Sequence, residues 1–544
     1  MTSIDDALLR LRATPASRGV GFSALGGPLE SRWQQAHLEL AQCIRPLAGS
    51  VPVLNEGGVY YGSWIESTGT INAEVLSRFD PAVTTATHLL FASHQRDDGM
   101  IPYKVTDAGP AFSQIQIVTP FARSVWNHYL LADPGLPYLR TMYEAMVRYD
   151  AWLVEYRNTR GTGGVEAFCT FDTGHDLSPR FWHVPDRGYL SDARLVDPAS
   201  PTLPFIAPDL TANVACQRSY LALIATELGL DPAPWLALAA QSVAALYEQC
   251  YDAGDAMFYD RDVRGELVSI QSDVLLRVLA CEVGDDAFFA AALTRYLMNT
   301  GKFLGHYGLT SLALDDPRFD HDYTRNSWGG PSNFLTMIRA PHAFEVHGRV
   351  AELALVNSPV LSALASADRF PQCLDPWTGA PGFTSAYSPS ILWMLDALER
   401  ACGILPRPDG SIWLSGLIPT RLEHGAAAAA TAYSRVLDGV LYELAGDDTS
   451  VVVHRDGSRW LSFPRGWRVV ISGGSVAAVV GLAAAPVTGT LAIDGSTSRD
   501  ANGVVASSAL DLTLAPNESV SVGGTGLALA AGARTSPGFI PPHP

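Results

Sequence analysis

Phe171-Asp-Thr-Gly-His-Asp-Leu-Ser-Pro-Arg-Phe-Trp182 packs two acids, a histidine and an arginine between aromatic residues. Gly174 frees the backbone just before Asp176, and Pro179 stops a helix from starting there. The segment therefore reads as a loop that displays charged groups beside flat apolar faces. Such a surface suits a sugar, whose C–H face stacks on rings while its hydroxyls exchange hydrogen bonds with carboxylates. A carboxyl held against aromatic surface is also hard to ionise, which raises its pKa toward that of a general acid. An isolated DxxxR pattern fits a blander structure too, a surface turn closed by a structural ion pair.

Around that loop, apolar segments of helical length recur at 80–94, 119–131, 136–156, 211–228, 232–251, 271–282, 284–298, 333–339, 342–356 and 386–402. Long loops rich in Gly, Pro, Asp and aromatic residues separate them, and long loops in a compact domain are usually functional. Helices joined alternately by short turns and long decorated loops predict a mainly α fold, an (α/α)6 barrel over 29–404. No repeat of fixed period supports an α-solenoid instead.

Composition changes after Pro406-Arg-Pro-Asp-Gly410. Short alternating runs such as Ser450-Val-Val-Val-His454 and Trp467-Arg-Val-Val-Ile-Ser472 follow, punctuated by Asp-Gly and Gly-Gly turns. They predict a C-terminal antiparallel β-sandwich within 405–544, with a linker before it and a loose tail after it. Residues 1–28 read as an N-terminal extension.

With 544 residues, 47% of them hydrophobic, the chain can bury a large core. A formal net charge of -18 argues against nucleic acid and anionic membrane surfaces as partners. No run of about 18 apolar residues suggests a membrane span, and the N-terminus lacks a signal-peptide pattern. The seven cysteines are scattered without a CxxC, which reads as reduced, mostly buried thiols and a cytoplasmic protein.

Five segments in one order carry a resemblance. Thr173-Gly-His-Asp-Leu-Ser-Pro-Arg-Phe181 resembles the SGxDxSPRW loop of the trehalase, processing α-glucosidase and glucosylglycerate/mannosylglycerate hydrolase group. Pro208-Asp-Leu-Thr-Ala-Asn213 is similar to that group's VDLNA segment, and Met257-Phe-Tyr-Asp-Arg-Asp262 to its FYDYD. Ser327-Trp-Gly-Gly-Pro-Ser-Asn-Phe-Leu335 resembles YWRGPxWxxxNYL, four residues shorter, and Phe370-Pro-Gln-Cys-Leu-Asp-Pro-Trp-Thr-Gly379 resembles FYEYYDPxTG. The resemblance implies an inverting exo-glycosidase that hydrolyses a terminal, α-linked bond of a small glycoside or oligosaccharide. Its general acid maps to Asp176 and its base to position 372, which here is Gln372. An amide can orient water but cannot take its proton. Three explanations stand open: an isosteric Glu→Gln replacement carried by this chain, a base moved to Asp375 or Glu345, or a protein that binds sugar without hydrolysis. An isomerase or phosphorylase on the same scaffold is a further rival, although no Lys/Arg cluster near these loops suits phosphate.

The expected substrate-binding residues follow from the same loops. Trp64 and Glu66 fall where the group's first loop meets the sugar. Gln95-Arg-Asp-Asp-Gly-Met-Ile-Pro-Tyr103 resembles a loop widespread in such barrels, with Gln95 and Asp98 at the ligand. His175, Arg180, Trp182, Asp209, Trp328 and Gly329 complete the expected set. Arg180 would hold a hydroxyl or keep a neighbouring carboxylate ionised. His342-Ala-Phe-Glu-Val-His347 is not HExxH, because its histidines lie five apart. No cofactor and no catalytic metal are expected, and oligomeric state is left open.

Overall fold

The computed structural model describes residues 3–419, 428–494, 509–523 and 527–544. Its contacts divide the chain into two units, one of residues 39–343, 369–392 and 542–544, the other of 1–38, 344–368 and 393–541. These limits do not coincide with the expected boundaries at 28 and 404.

In the first unit, helices come in pairs with different burial. Pro208–Glu227 starts with Pro at its first position and an acid in its first turn, both favourable at a helix N-terminus. Its apolar residues are buried on nearly every side, among them Leu210, Val214, Leu221 and Ile224. Its partner Ala233–Cys250 buries Ala239, Leu246 and Cys250 but leaves Leu236 55% exposed. A helix apolar all round belongs inside, and a one-sided helix belongs outside it. Phe121–Ala132 and Leu136–Arg157 follow as another consecutive pair, joined by a three-residue connection. Phe91, Phe121, Leu139, Tyr149 and Trp152 join one continuous core with Phe168, Phe181 and Leu210.

Short two-stranded pairings pin the long loops. Ser63–Trp64 pairs with Lys104–Thr106, and Ser332–Asn333 pairs with Cys373–Leu374. The second pairing sets position 372 against Phe334, whose N–H donates to the Gln372 carbonyl at 2.9 Å.

The expected helix over 342–356 is instead two. Ala340–Val346 stops, and Val350–Ser366 begins after a break and continues through Pro359. The Asn357-Ser-Pro359 run reads locally as a stop, but burial of Val360, Leu361 and Leu364 carries the helix past it.

The second unit contains two antiparallel sheets. Seven strands run in the order Val20–Ala24, Thr431–Leu437, Val440–Gly446, Ser450–Arg455, Ser458–Pro464, Val487–Ile493 and Ala509–Leu514. Asp438-Gly439 and Asp456-Gly457 have positive φ at both residues, the geometry of tight hairpin turns, and they close the pairs Leu437↔Val440 and Arg455↔Ser458. The other sheet has six strands, with Trp467–Ser472 and Ser475–Gly481 at its centre.

Two expectations about the ends are corrected. Residues 1–28 are not a mere extension: Val20–Ala24 forms the edge strand beside Thr431–Leu437, with Phe22 opposite Tyr433. Helix Ser3–Ala13 buries Ile4, Ala7, Leu8 and Leu11 against Ala430, Ala432 and Ala445. The tail is not loose either, since His543 accepts a backbone bond from Thr300 at 2.8 Å and donates one to Met298 at 3.1 Å.

All seven cysteines are buried and unbridged. Among the described residues no helix is long and apolar enough to cross a membrane, and no group of three or more His, Cys, Asp or Glu is placed to hold a metal ion.

Candidate active site

The loop 171–182 is anchored at Asp172, His175 and Arg180, and those anchors decide what it presents. Asp172 is fully buried and forked by Arg157, Nη1 to Oδ2 at 2.8 Å and Nη2 to Oδ1 at 3.1 Å. Arg180 makes two such forks. Its Nε and Nη2 donate to Asp260 at 2.8 and 2.6 Å, and its Nη1 and Nη2 donate to Asp209 at 3.0 Å each. Arg180 Nη1 also donates to His175 Nδ1 at 2.7 Å, and His175 Nε2 lies 2.8 Å from Asp273 Oδ1. Burial first, then the nearby Arg277, pushes the His175 imidazole down to about 3, so it is neutral. Asp172 and Arg180 are thus locked into buried ion pairs and neutral His175 sits between Arg180 and Asp273, while Asp176 lines a cavity.

That cavity, about 40 Å³, has room for a few waters. Glu56, Tyr60, Trp64, Glu66, Gln116, Gly174, Asp176, Trp328, Leu335, Gln372 and Tyr387 line it. Of the residues expected at the substrate, Asp176, Gln372, Trp64, Glu66 and Trp328 are therefore brought together. The others lie elsewhere. His175, Arg180 and Asp209 belong to the buried network. Gln95 donates to the carbonyls of Gly99 and Ala145 at 2.7 and 2.8 Å, and Asp98 accepts from Arg96 and from the Met100 N–H, so both hold their own turn. Trp182 is 56% exposed, and Gly329 is buried without lining the cavity.

Asp176 and Gln372 are joined through one amide. Asn326 Nδ2 donates to Asp176 Oδ2 at 2.5 Å, and Gln372 Nε2 donates to Asn326 Oδ1 at 2.9 Å. Adding the N-to-O span of an amide places the Asp176 oxygen within about 8 Å of the Gln372 nitrogen. Tyr60 OH donates to Gln372 Oε1 at 2.7 Å. Trp328 closes the site above the loop. Its N–H donates to the Asp176 carbonyl at 3.0 Å, and its ring lies between His175, 4.8 Å away, and the Arg277 guanidinium at 4.7 Å.

Three carboxyls share this space, and each is pushed up. Burial raises Asp176 to about 6 against the opposing Asn326 bond. Burial raises Glu56 to about 7, opposed by hydrogen bonds from Ser67 and Tyr387. Burial again is the main cause for Glu66, which reaches about 8 despite Arg277, with the Asp176 charge adding to the rise. Glu66 Oε1 has no hydrogen-bond partner among the described residues. Gly174 makes this packing feasible: a Cβ there would fall 2.2–2.5 Å from the Glu66 carboxyl atoms, and its φ of +67° is one that few other residues adopt.

Neither of the expected alternative bases lines the cavity. Asp375 accepts from the Trp377 and Thr378 N–H groups at 2.9 and 2.8 Å and faces His321 at 3.1 Å. Glu345 is gripped by Arg400 and Arg407, which hold it below the usual carboxylate range in spite of burial. Glu56, Tyr60, Gln116, Asn326, Leu335 and Tyr387 were not singled out by sequence, although Glu56 immediately precedes Gly57-Gly-Val-Tyr-Tyr-Gly-Ser-Trp-Ile-Glu66, the Gly- and aromatic-rich run that holds Trp64 and Glu66, and Asn326 immediately precedes the Ser327–Leu335 segment.

Residues 60–390 match the family model of the mannosylglycerate hydrolase MGH1-like glycoside hydrolase domain. The chain belongs to this family. It is a glycoside hydrolase, and the matched residues include the cavity walls from Tyr60 to Tyr387. Among solved structures it is similar to the GH63 mannosylglycerate hydrolase from Thermus thermophilus in complex with Tris, at 17% identity and TM-score 0.57 over 66% of this chain and 98% of that one. The same enzyme in complex with glucose aligns at 20% identity and TM-score 0.56, covering 68% and 98%. A chain described as a sialidase aligns at 14% identity and TM-score 0.59 over 84% of this chain and 41% of its own. At these identities the likeness is one of fold. No curated protein matches the chain.

Proposed function

We propose that this glycoside hydrolase has an (α/α)6 barrel with a β-sandwich and cleaves a terminal α-glycosidic bond of a small glycoside with inversion of configuration. One observation carries the reading: Asp176 and Gln372 line a single cavity and are bridged there by Asn326, within about 8 Å of each other. An inverting pair stands roughly 6.5–9.5 Å apart, leaving room for a water between acid and base. Asp176 is the acid. Its carboxyl is protonated below about pH 6, and its O–H hands a proton to the leaving oxygen as the glycosidic C–O bond breaks. Water attacks the anomeric carbon from the opposite face, oriented by the Gln372 amide.

Trp64 and Trp328 wall the sugar, and Glu66 accepts from its hydroxyls. A single small pocket with Trp64 and Trp328 among its walls suits exo-action on a terminal residue. Asn326 occupies the gap that the glycosidic oxygen and the water need, with its donor on the acid and its acceptor on Gln372. Substrate entry therefore displaces it.

The test is Asp176→Asn, assayed on a panel of α-glycosides. General acid catalysis contributes about 10²–10⁴-fold, so kcat should drop by that factor while KM changes little. Product anomers followed by NMR should appear first as the inverted form. Near-normal turnover by the variant, or a retained anomer, would overturn the assignment.

A further inference from the structure

We propose that Glu56 is the general base of this site, taking the proton that Gln372 cannot. This rests on the inverting reading above and names the group that completes it. Gln372 Oε1 already accepts from Tyr60, and an amide has no basic lone pair to offer at neutral pH. Of the three carboxyls lining the cavity, Asp176 is the acid. Glu66 packs on Gly174, within the acid's own loop. Glu56 belongs to the part of the lining built from residues 56–60 and 387–388. The Ser388 N–H donates to the Glu56 carbonyl at 2.8 Å, and Gly57 bridges to Tyr387. Tyr387 hydrogen-bonds the Glu56 carboxyl and lies 5.8 Å, ring to ring, from Tyr60, the residue bonded to Gln372. Ser67 Oγ also donates to this carboxyl, at Oε2. Glu56, Tyr60, Tyr387 and Gln372 therefore form one connected stretch of the cavity lining, joined to Asp176 through Asn326.

In the step this geometry supports, Asn326 has left and Gln372 Nε2–H donates to the attacking water. The water gives one proton to the Glu56 carboxylate as its oxygen bonds to the anomeric carbon. The bond to the leaving oxygen breaks, and that oxygen takes the Asp176 proton. Solvent then returns a proton to Asp176 and removes one from Glu56. Burial places Glu56 at about 7, so a large fraction is ionised near neutrality, as a base requires. The titratable groups facing it are Cys43, Tyr60, Glu66 and Tyr387. At neutral pH Glu66 is largely protonated and the other three keep their protons, so Glu56 is the group free to accept one.

The experiment moves the carboxylate across the wall. Glu56→Gln should lower kcat by about 10²–10⁴-fold, with circular dichroism and Tm recording the fold. Sodium azide, a nucleophile that needs no deprotonation, should restore turnover of this variant and yield the glycosyl azide of inverted configuration. The double variant Glu56→Gln/Gln372→Glu keeps the same number of carboxyls and should recover activity, which a structural role for Glu56 does not allow. Failure of both azide and the double variant to restore turnover, or a Glu56→Gln enzyme within about threefold of the parent, would overturn the assignment. So would azide rescue of Glu66→Gln but not of Glu56→Gln. An α-glycosyl fluoride, whose leaving group needs no acid, separates the two claims. Asp176→Asn should still hydrolyse it and Glu56→Gln should not, whereas an Asp176→Asn enzyme fully active on ordinary glycosides would sink the underlying reading instead.

Discussion

Replacing Arg180 by lysine separates two roles open to the residue, holding substrate or holding the acid loop. The guanidinium is 2% exposed and forks two buried carboxylates, Asp209 and Asp260, while also donating to His175. Against the cost of burial, Arg180 and Arg277 keep Asp209 well below the ordinary carboxylate range. Lysine retains the charge but offers a point donor where the site needs a planar fork. At least one of the two carboxylates then loses its partner, with only Arg277, 3.4 Å from Asp209, left to compensate. Breaking a buried pair by removing one partner costs about 3–5 kcal/mol, which is roughly a 150- to 5,000-fold shift in the unfolding equilibrium. Urea unfolding monitored by tryptophan fluorescence should show a clear fall in midpoint, and Tm should drop by about 5 °C or more. KM measured well below the new Tm should change little. An unchanged midpoint together with a large rise in KM would mean that Arg180 reaches the sugar, and the account of the anchored loop would be wrong.

Asn326→Ala removes the bond that holds Asp176 down, so Asp176 should titrate above about 6 and the limb of the kcat/KM profile that reports it should move to higher pH. An unmoved limb would show that Asn326 does not touch the acid in solution. Acid stability offers another check, because His88 and His128 are buried and neutral: burial holds His128 at about 4 and His88 well below its usual value. For both, the folded pKa lies below the unfolded value of about 6.5, so unfolding takes up protons and stability falls as pH drops from about 6.5 toward 4. The slope contribution is about 1.4 kcal/mol per pH unit for each histidine. His128→Gln, which can still bond Ser77, should flatten that slope by one proton in urea titrations across this range. An unchanged slope would show that His128 is charged in the native state.

How much of this is legible in the sequence depends on how far apart the partners lie. The Asp176 loop and the 370–379 turn are local, and their Gly and Pro residues mark them as loops by composition alone. The cavity does bring Asp176 and Gln372 together. Arg180 is local too, but its role is not, because its carboxylates come from 29 and 80 residues away. The bland reading of a DxxxR as a structural ion pair is where this arginine ends, with more distant acids as its partners. Glu345 looks available for the same reason, since nothing near it in sequence reveals Arg400 and Arg407. The edge strand at Val20–Ala24 escapes a sequence reading because five residues of mixed character gain their structure only from Thr431–Leu437. Glu56 and Asn326 each stand one residue outside a segment with a readable pattern, and neither carries a local signal of its own.

Glutamine at 372 follows from the electrostatics of the cavity once Glu56 is counted. Three carboxyls already share about 40 Å³ with no lysine or arginine among the lining residues, and like charges in a buried site drive one another up. Burial is the main reason Glu66 rises to about 8, and the Asp176 charge adds to it. A glutamate at 372 would add a fourth acid to the wall that holds Glu56, and two carboxyls coupled that closely cannot both stay ionised at neutral pH. One of them would keep a proton and cease to be a base, and the added charge would also raise Asp176 further. An amide at 372 keeps the hydrogen bonds to Tyr60 and Asn326, orients the water and leaves a single ionised carboxylate on that face. The single variant Gln372→Glu is therefore expected to gain nothing over the parent, whereas the exchange that removes Glu56 at the same time restores a lone base.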